Sequence, residues 1–392
     1  MKKINTIAIA ALLLCFAVLN MLKMGSATYS EREKRELAPF PEFSFKALTD
    51  GSYFAGIEAF VSDHFYNRDA LIDMNGAIDT VISDNPVKKA AQKENGVSTS
   101  VVKFDLVSNP VVRSGDRLFF VFESDEDKIK KYASSVNSIS EKFSEDVNIS
   151  VMLVPTVWEF FDGSAKKFGV KPQSEMINLA RSELNENLKF IDVSENLRKH
   201  KSEYIYFKSD HHWTVLGAYY GYEKYAEEND IEPVKCDIYP SSIFHGSFIN
   251  YINDPSILEI SDVLYLYNIK APNWCHGSLS HAKDAEQMGS MYFHDKLGYT
   301  RIFGGDTGYI RVETVNKSGR RLMVIKDSYA NALVPYLTEY YDRIIMVDPR
   351  YIEDDVGELA KEEGITDVLF VNNTETISDD AFISKLNEMA DK

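Results

Sequence analysis

The sequence predicts an α/β fold: a parallel sheet with helices on both faces, a β-rich insertion and an N-terminal transmembrane helix. Three observations carry that reading. Short apolar runs alternate with helix-period segments over residues 129–193 and again over 322–390, the pattern of parallel βαβ units. Between them, residues 235–318 are dominated by Tyr, Phe, Gly, Asn and Asp, with β-type runs and no helical period. Ahead of everything lies one long apolar stretch behind two lysines.

That stretch sets the first segment, residues 1–27. Lys2 and Lys3 precede Ile4–Leu22, broken only by Asn5, Thr6 and Asn20. Such a run is about long enough to span a bilayer, with its positive flank on the cytoplasmic side. Gly25-Ser26-Ala27 offers small residues at the spacing a signal peptidase reads. The segment is therefore a retained signal anchor or a cleaved signal peptide. The expected location is the cell membrane, single-pass with an extracytoplasmic body, or secreted if cleaved.

Residues 28–110 form the second segment. A charged stalk from Glu31 to Glu36 leads to a turn at Pro39 and Pro41. The spacing of Phe54, Ile57, Phe60 and Val61 then predicts a helix over 53–82. His64, between Asp63 and Phe65, reads as a hydrogen-bonded structural histidine rather than a catalytic one. Residues 84–100 read as a polar loop.

The α/β body is expected over 111–392, with the insertion at about 235–318. Ile129, Tyr132, Ala133, Val136, Ile139 and Phe143 predict a helix face, Val147–Val154 a strand, Gln173–Asn185 a helix and Phe190–Val193 a strand. A helix is expected over Thr214–Glu228, with an aromatic side at Leu216, Tyr219, Tyr220 and Tyr225. In the insertion, Val263–Ile269 is a strand candidate, and Trp274 and the many tyrosines there could stack on sugar rings or serve as ordinary β-core and surface. Strand Leu322–Ile325, helix Ala330–Tyr340, strand Ile344–Val347, helix Asp354–Glu363, strand Val368–Val371 and helix Asp380–Ala390 complete the pattern.

Composition bounds the function. With 392 residues, 44% hydrophobic and 12% aromatic, the chain is globular and large enough for a sizeable core. A net charge of -17 excludes a phosphate-neutralising surface, so no nucleic-acid partner is expected. Three cysteines give no framework: Cys15 lies in the apolar segment, and Cys236 and Cys275 form one bridge or stay free. No cofactor and no metal are expected.

The chemistry concentrates in Asp210-His211-His212-Trp213. A carboxylate beside an imidazole is the pair a proton shuttle needs, and no nucleophile lies nearby in sequence. Ligands of parallel sheets bind beyond the carboxyl ends of the strands, which points to Lys326-Asp327-Ser328-Tyr329-Ala330-Asn331, where Leu322–Ile325 gives way to a helix. A serine there is exposed at the sheet edge. Free N–H groups at the helix start, around Tyr329 and Asn331, could hold an oxyanion. His211 reads as a structural hydrogen-bonding group, Trp213 as core beneath the motif, and Asp327 as a cap for the following helix. A metal site on Asp210, His211 and His212 is disfavoured, since three adjacent residues do not readily point at one ion.

Asp210-His211-His212-Trp213 with Gly217-Ala218-Tyr219 resembles the signature of the DHHW family, itself similar to the SGNH-like alginate O-acetyltransferases of the AlgX/AlgJ type. The resemblance extends to Ser30–Pro41, to Ser62-Asp63-His64-Phe65 with Arg68, and to Val154-Pro155-Thr156. It continues through Val324–Asn331, Asp348-Pro349-Arg350-Tyr351 and Val371-Asn372-Asn373. It implies an SGNH-like (flavodoxin-like) fold and a permuted triad of Asp210, His212 and Ser328. Arg350 becomes a candidate substrate or oxyanion contact and Asn373 a candidate oxyanion partner. The chain departs from broader SGNH enzymes in three ways. Lys326 stands where many have Gly, Asp and His precede the serine one residue apart, and no clear Gly-x-Asn-Asp block is present. The implied function is O-acetylation of a cell-surface polysaccharide through an acetyl-serine, fed by a membrane-bound acyltransferase. Alternatives are a carbohydrate esterase with the same triad, or a non-catalytic glycan-binding or assembly protein.

Overall fold

The computed structural model describes residues 28–30, 35–41, 43–45, 52–64, 105–108, 111–122, 124–161, 171–252 and 255–392. The chain divides into two compact units, residues 1–83 with 249–253 and residues 84–248 with 254–392.

In the first unit, β1 (Tyr29–Ser30) pairs antiparallel with β2 (Arg35–Glu36), and α1 spans Ser52–Asp63. His64 closes α1: its Nδ1 lies 2.9 Å from the Phe60 carbonyl and its ring stacks on Phe60 at 4.1 Å. The expected N-terminal membrane helix, the 65–82 part of the expected helix and the 84–100 loop all lie outside the described residues. Among the described residues no helix is long and apolar enough to cross a membrane.

The second unit opens with β3 (Asp105–Ser108), β4 (Val111–Ser114) and β5 (Arg117–Phe120), a three-stranded antiparallel sheet. Because β3 pairs with β4, a boundary at 110 would cut a hairpin. Next come α2 (Glu126–Ser140), β6 (Asn148–Val154), α3 (Gln173–Glu183), β7 (Lys189–Asp192), α4 (Ser194–Lys199) and α5 (Val215–Glu228). Then follow β8 (Ile238–Phe244), β9 (Asp262–Tyr267), β10 (Asn273–Ser278), β11 (Glu286–Gly289) and β12 (Tyr309–Thr314). The chain ends with β13 (Arg321–Lys326), α6 (Ala330–Leu337), β14 (Arg343–Val347), α7 (Val356–Glu363), β15 (Asp367–Asn373) and α8 (Asp380–Asp391).

The central sheet has eight strands in the order β11-β10-β12-β14-β13-β15-β6-β7. From β14 to β7 the neighbours are parallel; β12, β10 and β11 are added antiparallel. The sheet is thus mixed rather than parallel. The stretch 235–318 is not a separate insertion throughout: β8 and β9 form their own two-stranded sheet, but β10, β11 and β12 extend the main one. The reason is visible in burial. The inner strands β13, β14 and β15 are apolar runs buried on both faces, whereas β10 and β12 carry His276, Arg311 and Glu313 on partly exposed positions. That breaks the apolar run that announces a parallel strand.

The parallel strands, ranked by chain order, sit as 2-1-5-3-4. Counting from β13 to the C-terminus and resuming at β6 gives 2-1-3-4-5, the flavodoxin-type order. The sheet is therefore a rotated version of that order, with its first strand, β13, deep in the chain. Alternate residues of each strand face opposite layers. Leu322, Val324, Leu369 and Val371 pack with α5 and α6; Met323, Ile325, Val368 and Phe370 pack with α2, α3, α7 and α8. Helices cover both faces, as expected.

Candidate active site

The serine half of the site is a product of the sheet. β13 runs between β14 and β15, with Ile325 opposite Val347 and Lys326 opposite Val371. Its carboxyl end delivers Asp327, whose N–H donates to the Val371 carbonyl at 3.1 Å. Asp327 then clamps the turn. Its Oδ1 accepts from the Tyr329 N–H at 2.9 Å, and its Oδ2 from the Asn373 N–H and Nδ2 at 2.7 and 2.9 Å. It ties the serine turn to β15 and does not cap α6, where Tyr329 holds the N-cap position without a side-chain bond. Ser328 is left partly exposed at the sheet edge.

The imidazole half is a loop beyond β7 and α4. A bridge between Tyr206 and Trp213 closes it, and the Thr214 hydroxyl caps α5 by accepting from the Gly217 N–H at 3.2 Å. Gly221 lets α5 lie on the indole, since a Cβ there would meet Trp213 at 2.9 Å. Buried Trp213 donates from Nε1 to the Tyr329 carbonyl at 2.9 Å, joining the two halves from beneath. Asp262, at the start of β9, accepts the N–H groups of Lys208 and Ser209 at 2.7 Å each and the hydroxyls of Ser209 and Tyr204 at 2.5 Å each. The loop after β8 wraps the other side: the Ser247 N–H donates to Asp210 Oδ2 at 2.7 Å, and the Gly246 N–H to Ser209 Oγ at 2.8 Å.

These anchors bring Asp210, His212 and Ser328 together across more than a hundred residues. His212 Nδ1 is 2.6 Å from Asp210 Oδ1, and Nε2 is 2.7 Å from Ser328 Oγ. With Nδ1–H donating to the carboxylate, Nε2 is the acceptor for the serine proton. Burial alone would raise the Asp210 pKa. The His212 charge and hydrogen bond, with His211 and the Ser247 N–H, outweigh it and hold Asp210 well below the usual carboxylate range. The buried imidazole is sandwiched between His211 at 3.9 Å and Tyr299 at 3.8 Å, the latter nearly parallel.

The remaining expected contacts are placed differently. The Asn373 amide is fully engaged, donating to Asp327 and to Thr376 Oγ1 at 2.8 Å while its Oδ1 accepts from the N–H groups of Glu375 and Thr376. It is a clamp on the serine turn, with no donor left for an oxyanion. Tyr329 is likewise occupied, its N–H on Asp327 and its hydroxyl on the His211 carbonyl at 2.5 Å. Asn331 is buried with Oδ1 unpartnered among the described residues. Arg350 is held by Asp348 and Asp306 at 2.6 and 2.9 Å, in a cluster with fully buried Lys326. Among the described residues, the Ser328 N–H donates to no backbone or side-chain acceptor.

His211 makes the expected structural contact, Nδ1 to Ser247 Oγ at 2.8 Å. Three adjacent residues are not expected to point readily at one ion, but one ligand atom from each of Asp210, His211 and His212 lies within 4.8 Å of the others. The adjacent rings lie 3.9 Å apart at a tilt of 35° instead of diverging. Asp210 Oδ1 and both His212 nitrogens are nonetheless spent within the triad. Cys236 and Cys275 are free thiols. Sequence reasoning missed Tyr299, Asp262 and Gly246. Gly298, which precedes Tyr299, has φ 55°, and a Cβ there would meet Phe244 at 2.4 Å.

The chain is thus a mixed α/β protein in which a serine, an imidazole and a carboxylate form a hydrogen-bonded relay at the carboxyl edge of the sheet. More narrowly, a family model described as DHHW protein matches residues 33–105 and 84–347, and the chain belongs to the DHHW family. A DHHW family protein from Eubacterium siraeum is similar at 26% identity and TM-score 0.65, covering 75% of this chain and 97% of that one. Bacillus cereus PatB1, solved with a sulfonyl adduct, shares the fold at 19% identity and TM-score 0.56, covering 72% and 99%. The O-acetyltransferase domain of Pseudomonas putida AlgJ is more distant, at 12% identity and TM-score 0.41 over 73% and 98%. No curated protein matches the chain.

Proposed function

We propose that the chain is an extracytoplasmic O-acetyltransferase that modifies a polysaccharide through an acetyl-serine intermediate. The observation that carries this reading is the continuous relay Asp210–His212–Ser328, with bonds of 2.6 and 2.7 Å. His212 takes the Ser328 proton as Oγ attacks the carbonyl carbon of an acetyl donor. The oxyanion collapses, the bond to the donor's leaving group breaks, and His212 returns the proton to that group. A glycan hydroxyl then attacks the acetyl-serine while giving its proton to His212, and the new ester leaves as Ser328 regains its proton. The Ser328 N–H is available to the oxyanion. Membership of the DHHW family supports the reading. So does the apolar run Ile4–Leu22, which would tether the body beside a membrane-bound acyltransferase as donor.

Partial exposure of Ser328 favours a second reading, an esterase in which water removes the acetyl group. Both are tested by giving the purified chain 4-nitrophenyl acetate with and without oligosaccharide. Acetylated oligosaccharide marks the transferase, and acetate release indifferent to acceptor marks the esterase. Ser328→Ala and His212→Ala should each lose at least ~10³-fold. Wild-type rates in both variants would exclude the triad, and no turnover in the wild type would leave a binding or assembly role.

A further inference from the structure

The edge of the sheet that presents Ser328 also carries an exposed aromatic that the triad does not use. β14 pairs in parallel with β13, Val347 opposite Ile325, so the turn after β14 emerges at the same edge as the serine turn. That turn is tight: the N–H groups of Tyr351 and Ile352 both donate to the Asp348 carbonyl, at 3.1 and 3.0 Å. Chain reach and one strand spacing therefore keep Tyr351 within about 20 Å of Ser328. Ile352 turns into the core, whereas Tyr351 is 38% exposed. Among the described residues its hydroxyl has no hydrogen-bond partner.

Arg350 gives that ring a fixed backing. Its Nε and Nη2 donate to the two oxygens of Asp348 at 2.9 and 2.6 Å, and Nη2 also donates to Asp306 Oδ2 at 2.9 Å. Both aspartates in turn lie 3.3 Å from the Nζ of buried Lys326. So held, the guanidinium lies over the Tyr351 ring, with Cζ 5.2 Å from the centroid. With one face covered, the exposure of the ring falls on its other face and edge. Arg350 Nη1 donates to nothing among the described residues. Leu279 adds an apolar side chain to the same rim. It is 67% exposed, and the next residue, Ser280, accepts the Glu353 N–H at 2.9 Å.

A scattered surface aromatic is ordinary. This one is preorganised, with a pinned guanidinium behind it and an unused planar donor at its border. Two cations and two carboxylates leave the cluster neutral, so it has no surplus charge to hold an anion. An uncharged pyranose offers the matching surface: an apolar C–H face for the ring, and rim hydroxyls for Nη1 and the tyrosine hydroxyl.

Resting on the transferase reading, we infer that Tyr351 and Arg350, flanked by Leu279, form an acceptor subsite for an uncharged pyranose of the glycan. The sugar bound there is not the one whose hydroxyl attacks the acetyl-serine. Tyr351 stacks on its C–H face, and Arg350 Nη1 donates to one of its hydroxyls. The subsite thus selects an oligosaccharide over a single sugar.

The test uses 4-nitrophenyl acetate as donor, with cellopentaose against glucose and chitopentaose against N-acetylglucosamine as acceptors. For at least one pair, the full chain should acetylate the pentasaccharide with a kcat/KM per sugar unit about tenfold or more above the monosaccharide's. Tyr351→Ala should bring that ratio within about twofold of unity, through KM rather than kcat, and Tyr351→Phe, which keeps the ring, should hold most of it. Thermal unfolding checks that both variants are folded. An undiminished ratio in Tyr351→Ala overturns the subsite, as does a wild type that favours neither pentasaccharide. An equal fall of acetate release and of both transfers also overturns it, by placing Tyr351 with the serine turn instead of the acceptor. A wild type with no Ser328-dependent acetate release overturns the transferase reading, and the subsite with it.

Discussion

The two halves of the triad are built by different means. Ser328 sits where β13 ends between two parallel neighbours, so the ladders that hold the core also hold the proposed nucleophile. Asp210 and His212 sit on a loop with no ladder of its own. Their position depends on a few polar anchors, chiefly Asp262 and the loop at Gly246 and Ser247. A strand end tolerates local damage because backbone hydrogen bonds on both sides restore it. A loop held by side chains does not. The imidazole half should therefore be the fragile half.

The severest test is Gly246→Ala. A Cβ at 246 would stand 2.3 Å from the Ser209 carbonyl oxygen and 2.4 Å from Asp210 Cβ, contacts with no flexible side chain to yield. The backbone carrying Asp210 must move. Overpacking of this kind costs roughly 1–3 kcal/mol, and displacement of the Asp210–His212 pair should cut kcat/KM by about 100-fold or more. Full activity with 4-nitrophenyl acetate in a folded Gly246→Ala chain would show that the loop is not the determinant.

A matched pair of variants sharpens the contrast. Asp262→Asn and Asp327→Asn each place an amide where a buried carboxylate accepts several N–H or O–H groups. Each leaves buried donors unsatisfied, at about 1–3 kcal/mol per group, so denaturant unfolding should show comparable losses of stability. Activity should separate them. Asp262→Asn frees the imidazole loop and should lower kcat by roughly tenfold or more, whereas Asp327→Asn leaves β13 in its two ladders and should cost several-fold. Equal kinetic losses would erase the distinction between the halves.

The same contrast explains what was legible in the sequence. Ser328 could be found because an apolar run, a turn and a helix announce a buried strand and its end. Asp210 and His212 could be found because their pairing is local. The strand count over 235–318 was not legible, because antiparallel edge strands with Arg311, Glu313 and His276 lack the apolar run that marks β13. Asp262 and Gly246 were also hidden. They act on the motif from another hairpin, and nothing local distinguishes them from ordinary loop residues. Asn373 was recognised as belonging to the site, but sequence could not show that its amide is already spent on Asp327 and Thr376.

Tyr299 bridges the two halves and gives the finest test. Its ring lies on His212, while its hydroxyl donates to the Ser328 carbonyl at 2.8 Å and accepts from the Ala332 N–H at 3.2 Å. Burial pushes its pKa well up, so the hydroxyl stays protonated and acts as a neutral tie. Tyr299→Phe keeps the stack and removes the tie, leaving the Ala332 N–H without the hydroxyl while the Ser328 carbonyl keeps the Asn331 N–H at 3.2 Å. Stability should fall by about 1–2 kcal/mol. The β13 ladders should still present Ser328 and the stacked ring should still steady His212, so kcat should fall by less than about tenfold. A loss as deep as that of Gly246→Ala would mean that the serine half, too, depends on a side-chain anchor.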